Sequence, residues 1–400
     1  MKINLFLGIL LAGLMASACS GRPFDPSAAP VIPFTRTDVL DLSPFMEKMR
    51  IVFLETREQS IFSEADKMII YEGQVYILDK TLKMALCFDT CGTFLYRIQR
   101  IGKGPWEYQE LDAMWINPAT DELWLQSYTP GKIMVYGTNG IPLREFPVEW
   151  SARDMARIGP NRIIGYNTTY AVHDREDLDI GLFLSDEKGR LKKFLLGIGD
   201  SSWYYAMNIR RYLAETTEGL LAINQSDTIY RISPEAIVTK DFVADFGRFS
   251  MPDEYRKLNY SPRNSKLMRE SLYLQGKDQI LGFGNIRMFK AYLGSTIYFA
   301  LTDLTTREGY YSSRIQHASG PMPILLPECV TDRSELAGLL NVDILLALRQ
   351  SLERVEETPE SRDLFRQIRE LCDRGIQNDR PILWIAPIKK QWIDSNSQTQ

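Results

Sequence analysis

Four Asp residues and one Asn recur along the chain at positions that could meet around one opening. Each stands just before an apolar segment whose alternation predicts a strand: Asp66, Asp112, Asp154, Asn208 and Asp278. Carboxylate and amide oxygens that converge are the ligands that Ca²⁺ prefers. The set allows two interpretations. One is a calcium site, which would favour hydrolase or lyase chemistry; the other, which we prefer, is structural, because Asp and Asn bind backbone N–H groups at turns.

A second recurrence combines aromatic rings with carboxylates. It lies in three segments that begin with glycine, GKGPWEY (102–108), GIGDSSWYY (197–205) and GRFSMPDEY (247–255). A common rim built from these segments would hold seven side chains: Trp106, Glu107, Tyr108, Trp203, Tyr205, Glu254 and Tyr255. Rings stack on the apolar faces of sugars and peptides, and carboxylates bind hydroxyl or amino groups. The rim thus predicts a glycan or peptide ligand, with packing of the rings between structural units as the alternative.

Composition excludes several other kinds of chemistry and partner. The 400 residues include 47 Lys and Arg against 51 Asp and Glu, a net charge of −4 that offers no basic excess for nucleic acid. His173 and His317 are the only 2 histidines, so a Ser-His-Asp triad or a multi-histidine zinc site has almost no material. Hydrophobic residues make up 44 % and charged residues 24 %, which is typical of a globular protein.

The elements that would position both sets form a repeat. Units of four short apolar segments contain turns at Gly92, Gly140, Gly189 and Glu235, which lie 48, 49 and 46 residues apart. A four-stranded antiparallel unit of this period is typical of a β-propeller blade. A fifth unit fits residues 279–315. We therefore predict an all-β fold, a six-bladed β-propeller of four-stranded antiparallel blades, with seven blades as the alternative.

The sixth blade must be assembled from both ends of the chain. Residues 382–390 form a predicted C-terminal strand, and an orphan strand at 50–56 precedes the first unit. Pairing the two closes the ring and removes two exposed strand edges. The propeller is predicted to span residues 41–400, with a partly helical linker at 252–276 between blades four and five.

The last blade is predicted to carry a helical insertion over residues 331–376. A first helix follows from apolar residues at helical spacing: Leu336, Leu339, Leu340, Ile344 and Leu348. A second helix is predicted to begin at Thr358 and Pro359 and to stop at Gly375. We expect the apolar stripe of this insertion to pack on the propeller, with binding of a partner as the alternative.

The N-terminus has the pattern of an export signal. Residues 1–18 combine a basic start at Lys2, an apolar stretch and small residues, and Cys19 follows directly. A cysteine after small residues resembles a lipoprotein box, which implies that Cys19 is lipidated, and Ser20 in place of Asp resembles outer-membrane sorting in Gram-negative bacteria. We therefore predict an outer-membrane lipoprotein facing the periplasm or the cell surface, with residues 19–40 as a tether. Simple cleavage near Ala18 with a secreted product is the alternative.

The remaining cysteines leave their pairing open. In an oxidising compartment two disulfides, Cys87–Cys91 and Cys329–Cys372, would be the simplest arrangement. Two other connectivities fit the same count. Unpaired thiols are a further alternative, because the loop between Cys87 and Cys91 is short enough to strain a disulfide.

The N-terminal cysteine motif, the repeat, the closing strand and the segment GKGPWEY together resemble the six-bladed β-propeller lipoproteins of Gram-negative gut bacteria. That family typically shows G-x-G-P-G-E-Y, and this sequence differs at Trp106, where a glycine is usual. The resemblance covers nearly the whole chain after Cys19 and is strongest from Phe53 to Phe146. It implies the fold and the location in the cell envelope, and it implies no reaction.

We therefore predict a non-enzymatic binding or scaffold protein. Its partners would be the membrane, through the lipid on Cys19, and a glycan, a peptide or an envelope protein at the rim. The alternative is a calcium-dependent propeller hydrolase or lyase, similar to the propeller lactonases, with its site at the channel mouth. Only the enzyme alternative involves a cofactor, which would be Ca²⁺.

Overall fold

The computed structural model describes residues 29–167, 181–197, 211–216, 218–223, 226–256, 263, 266–267, 270–294, 296–317, 327–354 and 362–393. Three short strands come before the repeats: β1 (Val31–Arg36), β2 (Leu40–Asp41) and β3 (Arg50–Phe53). Each of the first three blades is then a four-stranded antiparallel sheet in chain order.

The strands of blade one are β4 (Lys67–Tyr71), β5 (Gln74–Asp79), β6 (Met84–Asp89) and β7 (Phe94–Ile98). Those of blade two are β8 (Ala113–Asn117), β9 (Glu122–Ser127), β10 (Lys132–Gly137) and β11 (Pro142–Pro147). Those of blade three are β12 (Asp154–Gly159), β13 (Arg162–Asn167), β14 (Gly181–Ser185) and β15 (Leu191–Gly197). The second and third strands of blades one and two are almost wholly buried, because neighbouring blades cover both of their faces.

Blades four and five share one sheet. Blade four consists of β16 (Leu213–Thr216), β17 (Gly219–Ile223), β18 (Thr228–Ile232) and β19 (Val238–Asp245). A short helix, α1 (Asp253–Arg256), follows in the predicted linker. Blade five consists of β20 (Gln275–Phe283), β21 (Ile286–Leu293), β22 (Thr296–Asp303) and β23 (Glu308–Ser312), after which β24 (Ile315–Gln316) pairs with β2.

Blade six contains both ends of the chain. Its strands are β25 (Cys329–Val330), β26 (Glu335–Leu340), β27 (Ile382–Pro387) and β3. β3 runs antiparallel to β27, with Ile51 opposite Trp384. The first strands of the six blades contact one another in a closed ring, in which β25 meets β4. The predicted six blades and their closure are confirmed, and the alternative of seven blades is wrong.

The turn glycines of the repeat are needed for contact between blades. Gly92 has φ +93°, and a Cβ there would collide with the carbonyl oxygen of Phe53 on β3 of the neighbouring blade. In blade four the matching residue is Ala236, with φ +64° and an N–H that donates to Ser233 O at 2.8 Å. The sequence repeat predicted this position at Glu235, one residue too early.

The N-terminal strand β1 was not predicted. It pairs parallel with β19, where Val31 lies opposite Val243, and then with β23, where Phe34 lies opposite Gly309. Ile32 and Phe34 are buried in the same core as the sheets of blades three to five. The predicted tether over residues 19–40 therefore differs from the structure, because residues 31–36 are an integral part of the fold.

The helical insertion lies between β26 and β27, inside the last blade as predicted. It contains α2 (Val342–Leu352) and α3 (Arg362–Gln377), and α4 (Lys390–Ile393) follows the last strand. Asn341 caps α2, since its Oδ1 accepts the N–H of Ile344 at 2.9 Å. Leu345 and Ile368 pack into the core beside Trp384, so the apolar stripe faces the propeller.

The first predicted helix begins too early. Leu336, Leu339 and Leu340 lie on β26, which is paired with β25 and β27 and is almost fully buried. A strand that is buried on both faces is continuously apolar, and such a run fits helical spacing equally well. Among the described residues, no helix is long and apolar enough to cross a membrane.

Candidate functional site

The acidic residues of blades one and two bind the backbone of their own blade. Asp66 Oδ2 accepts the N–H of Lys80 at 2.8 Å, and Asp112 Oδ2 accepts the N–H of Tyr128 at 2.9 Å. In each case the residue before the first strand binds the residue that follows the second strand. These two carboxylates thus fix the start of a blade.

The acidic residues of blades three and five reach instead to blade four. Asp154 is 1 % exposed, and its Oδ2 accepts the N–H groups of Tyr212 and Leu213, both at 3.0 Å. Asp278 Oδ1 accepts the N–H of Arg211 at 3.0 Å. The two carboxylates therefore hold the beginning of β16 from both sides.

The donors around these carboxylates do not suit a calcium ion. Lys67 Nζ lies 2.6 Å from Asp154 Oδ1, which places a positive charge where the predicted cation would bind. Asn208 lies outside the described residues. Within the described ranges, no group of three or more His, Cys, Asp or Glu side chains could hold a metal ion. The four described acidic residues therefore do not form the calcium site, and their roles match the structural interpretation.

The cations that these acidic residues face were not predicted. Arg211 is 7 % exposed, and its guanidinium donates to Glu328 Oε2 at 2.9 Å and to the carbonyl oxygen of Asp66 at 3.3 Å. One side chain thus joins blades four, six and one across the channel. Burial lowers the pKa of Lys80, although Asp66 and Asp112 act in the opposite direction. The signals in the sequence were Lys67, at the start of β4, and Arg211, just before β16.

Tyr108 is not part of an exposed rim. It is 0 % exposed, and its hydroxyl donates to the carbonyl oxygen of Lys83 at 3.0 Å. Its backbone pairs with the same loop, since its N–H donates to Arg100 O at 2.9 Å and its carbonyl accepts the N–H of Gly102 at 3.0 Å. The ring packs in the core between blades one and two. The prediction of a ligand-binding role is corrected here to a packing role.

Trp106 and Glu107 lie at the surface of the same loop. Trp106 is half-buried with φ +63°, and its ring contacts Tyr136 edge to face with 5.4 Å between centroids. Glu107 folds back over the loop, where its Oε2 accepts the N–H of Gly104 at 2.8 Å. Both residues have local structural partners, and part of the Trp106 side chain remains accessible.

The other predicted rim residues make separate contacts. Glu254 is exposed, and Tyr255 is half-buried with its ring 5.0 Å from that of Tyr273. Trp203 and Tyr205 lie outside the described residues. The described contacts of Trp106 and Tyr255 are therefore each with a different aromatic neighbour, and a shared binding surface stays a prediction.

The four described cysteines, Cys87, Cys91, Cys329 and Cys372, are free thiols, which matches the alternative of unpaired thiols and not the two disulfides. Cys87 points into the core from β6, whereas Cys91 is exposed in the following turn. Burial raises the pKa of Cys87 to about 12 and that of Cys329 to about 12. These two thiols are therefore protonated at neutral pH.

The first strands of the blades enclose a cavity of about 470 Å³. Its apolar wall includes Ile69, Tyr71, Ile116, Leu281, Phe283 and Val330. Its polar groups are Lys67, Arg211, Glu215 and Glu328, together with residues of the turns at one end. Glu215 projects into the lumen and accepts the indole N–H of Trp115. A cavity of this size and character falls within the range of roughly 300–1,000 Å³ of small-molecule sites.

The closed ring of six four-stranded blades defines the protein as a β-propeller. The chain belongs to the family described as "Domain of unknown function (DUF4934)", whose model matches residues 29–381. None of the curated proteins matches the sequence.

Two solved structures from Bacteroides are similar to this chain. A Bacteroides fragilis NCTC 9343 protein described as "Putative exported protein" is 16 % identical, with a TM-score of 0.66, over 90 % of this chain and 100 % of its own. A member of the duf4221 family from Bacteroides vulgatus ATCC 8482 is 8 % identical, with a TM-score of 0.47, over 86 % of this chain and 97 % of its own. The first of these similarities supports the fold.

Proposed function

We propose that this protein is an exported, lipid-anchored β-propeller that binds a ligand and does not transform it. The observation that carries the binding role is the central cavity, which combines a largely apolar wall with a few polar groups. Most of the charges beside it are already engaged, since Asp154 pairs with Lys67 and Glu328 pairs with Arg211. Groups held in this way can orient a ligand but are poorly placed to act as a nucleophile or base.

Export and anchoring rest on the N-terminus. The signal pattern of residues 1–18 ends in small residues, and Cys19 follows as the residue to be lipidated. The resemblance to propeller lipoproteins of Gram-negative gut bacteria agrees with this assignment. So does the description of the similar Bacteroides fragilis protein as exported. The propeller would then face the periplasm or the cell surface from the outer membrane.

The anchor is tested by fractionating cells that express Cys19→Ala. The variant should leave the membrane fraction and lose incorporation of a labelled fatty acid. Cys91→Ala is the matched control, because Cys91 is an exposed thiol in a turn of blade one, outside the N-terminal signal pattern. Membrane retention of Cys19→Ala equal to that of the control would contradict the lipid anchor.

The binding role is tested on glycan and peptide arrays with the purified chain. Positive ligands are then measured by calorimetry and examined by mass spectrometry after incubation with the protein. We expect a bound ligand that is recovered unchanged. Conversion of that ligand would favour an enzyme, and a chain that binds nothing on either array would remove the support for a glycan- or peptide-binding role.

The alternative of a calcium-dependent hydrolase or lyase has its own test. Because the acidic residues bind backbone N–H groups and Lys67, millimolar Ca²⁺ should leave the melting temperature unchanged relative to a chelator. A rise with Ca²⁺ that disappears in Asp112→Ala would restore the calcium site as a working hypothesis.

A further inference from the structure

The charged groups of the central cavity are not equally engaged. Lys67 is ion-paired with Asp154 at 2.6 Å, and Arg211 with Glu328 at 2.9 Å, so each cation has a carboxylate of its own. Glu215 lies on β16 and accepts a hydrogen bond from the Trp115 indole N–H at Oε1. Among the described residues, none donates a hydrogen bond to its second oxygen, Oε2. Glu215 thus offers a guest a carboxylate oxygen that no described residue occupies, as does Asp332 at the turn end of the cavity, where only its Oδ2 accepts the N–H of Glu72.

The location of Glu215 strengthens its attraction for a cation. Its side chain is exposed to the lumen of the channel, yet protein surrounds the lumen, so the carboxylate is partly removed from bulk water. This burial raises the pKa of Glu215, although the hydrogen bond from Trp115 and the charge of Lys67 act in the opposite direction; the charge of Asp154 adds to the effect of burial. A guest that brings a positive charge would relieve the cost of ionising the carboxylate.

The rest of the wall would cover an apolar body. Ile69 and Ile116 lie on the first strands of blades one and two, and Leu281 and Phe283 lie on the first strand of blade five. The indole of Trp115 stands beside the carboxylate and is nearly buried. Apolar walls of this kind can cover the body of a guest while the carboxylate holds its donor.

We propose that the central cavity binds a small amphiphilic amine, with its ammonium group on Glu215 and its apolar body between the first strands of blades one, two and five. The proposal rests on the proposed binding function and names the chemistry of the ligand. An ammonium donates charge-assisted hydrogen bonds to a carboxylate, which are stronger than those of a neutral hydroxyl. A carboxylate guest would be repelled by Glu215 and by Asp332, which lines the cavity at its turn end.

Three probes with similar bodies test the assignment: 2-phenylethylamine, 2-phenylethanol and phenylacetate. Binding is measured by calorimetry and by the shift of the Trp115 indole N–H resonance in the full chain. The amine should bind about tenfold or more tightly than the alcohol, as expected for a charge-assisted contact, and phenylacetate more weakly still. Equal affinity for amine and alcohol, or tighter binding of phenylacetate, would overturn the proposal.

Variants then locate the contact. Glu215→Gln should lower the affinity for the amine by about tenfold or more and change the affinity for the alcohol by no more than about twofold, because only the charge is removed. Glu308→Gln is the matched control, since Glu308 is exposed on the outer strand of blade five, and it should change neither affinity. Amine binding that survives Glu215→Gln unchanged would overturn the assignment of the carboxylate.

A second variant keeps the test independent of Glu215. Ala214 lines the cavity and is only partly buried, so the larger side chain of Ala214→Leu should fill part of the lumen. The affinities for both the amine and the alcohol should then fall. Unchanged affinities in Ala214→Leu would place the probes elsewhere and contradict the cavity site. If the wild type binds a ligand on the arrays but not 2-phenylethylamine, the binding function stands and the amine assignment fails.

Discussion

Blades one and two use their recurring aspartates differently from blades three and five. Asp66 and Asp112 accept N–H groups at the end of the second strand of their own blades. Asp154 and Asp278 accept N–H groups at residues 211–213, before and at the start of β16 in blade four. A repeat can thus keep the position of a carboxylate around the ring while the strand that it stabilises changes.

The difference follows from blade four itself. Its first strand, β16, has 4 residues, and the blade has Ala236 at the turn where the other early blades have glycine. A short first strand leaves few hydrogen bonds to define its start, so neighbouring carboxylates supply them. We therefore expect substitutions in the second pair of aspartates to cost more stability than substitutions in the first pair.

The largest effect is expected for Asp154→Ala. The change would leave Lys67 without its buried partner and free the N–H groups of Tyr212 and Leu213. Removing one member of a buried ion pair costs about 3–5 kcal/mol of stability. Denaturant unfolding of the full chain measures this cost. A value below about 1 kcal/mol would mean that the clamp on β16 contributes nothing beyond an ordinary hydrogen bond.

Asp66→Ala should cost less, because the substitution chiefly removes the acceptor of the hydrogen bond from Lys80 N–H. One such bond to a charged acceptor contributes about 1.5–3 kcal/mol. The same unfolding experiment, run beside Asp154→Ala, compares the two pairs directly. If Asp66→Ala proved the more damaging, the distinction between the two halves of the ring would be wrong.

Asp112→Asn should stabilise the protein slightly at neutral pH. Burial raises the pKa of Asp112 above its ordinary value of 3.8, despite the attraction of Lys80, so folding favours the protonated form. In the wild type, the contribution of Asp112 to folding stability is therefore complete below pH 3.8. Part of this stability is lost as the pH rises through the raised pKa of Asp112. Asparagine mimics the protonated form at every pH.

Melting temperatures across a pH series check this prediction. The melting temperature of Asp112→Asn should exceed that of the wild type at pH values above the raised pKa of Asp112, and the difference should vanish at acidic pH. A difference that grows as the pH falls would contradict a raised pKa for Asp112.

The smallest effect is expected for Trp106→Gly. Trp106 has φ +63°, a conformation that glycine adopts without cost, and the ring that the substitution removes is only half-buried against Tyr136. The two changes oppose each other, so the free energy of unfolding should move by less than about 1 kcal/mol. Tyr108→Ala in the same loop is the comparison, with an expected cost of about 3–5 kcal/mol for a large buried side chain.

The ring of blades could be predicted well from the sequence because its signals are local. The turn glycines occur once in each early blade, and their spacing reports directly on the repeat, since each packs against the neighbouring blade. The closing strand was predicted because an unpaired strand before the first repeat needs a partner. The helix over residues 336–340 was wrong because a doubly buried strand has no alternation to distinguish it.

The candidate site was harder to predict for a physical reason. A carboxylate before a strand has the same sequence signature whether it binds calcium, lysine or a backbone N–H group. Only the contacts of Asp154 with Lys67 and with β16 decide between these roles, and they join residues that are distant in the chain. Similarly, Trp106 and Tyr108 stand two residues apart, yet Trp106 is half-buried and Tyr108 fully buried, because the loop turns sharply between residues 102 and 108.

The position of β1 has a consequence for the order in which the protein can fold. This strand precedes every other described strand, whereas its partners β19 and β23 come far later in the chain, and β27, the partner of β3, comes later still. Until β1 docks, the outer edges of blades four and five are unpaired and open to association with other chains. Contacts of such long sequence separation make folding slow. A strand that precedes the first blade thus completes the structure only after blades four and five have formed, and it covers the two strand edges through which they could otherwise associate.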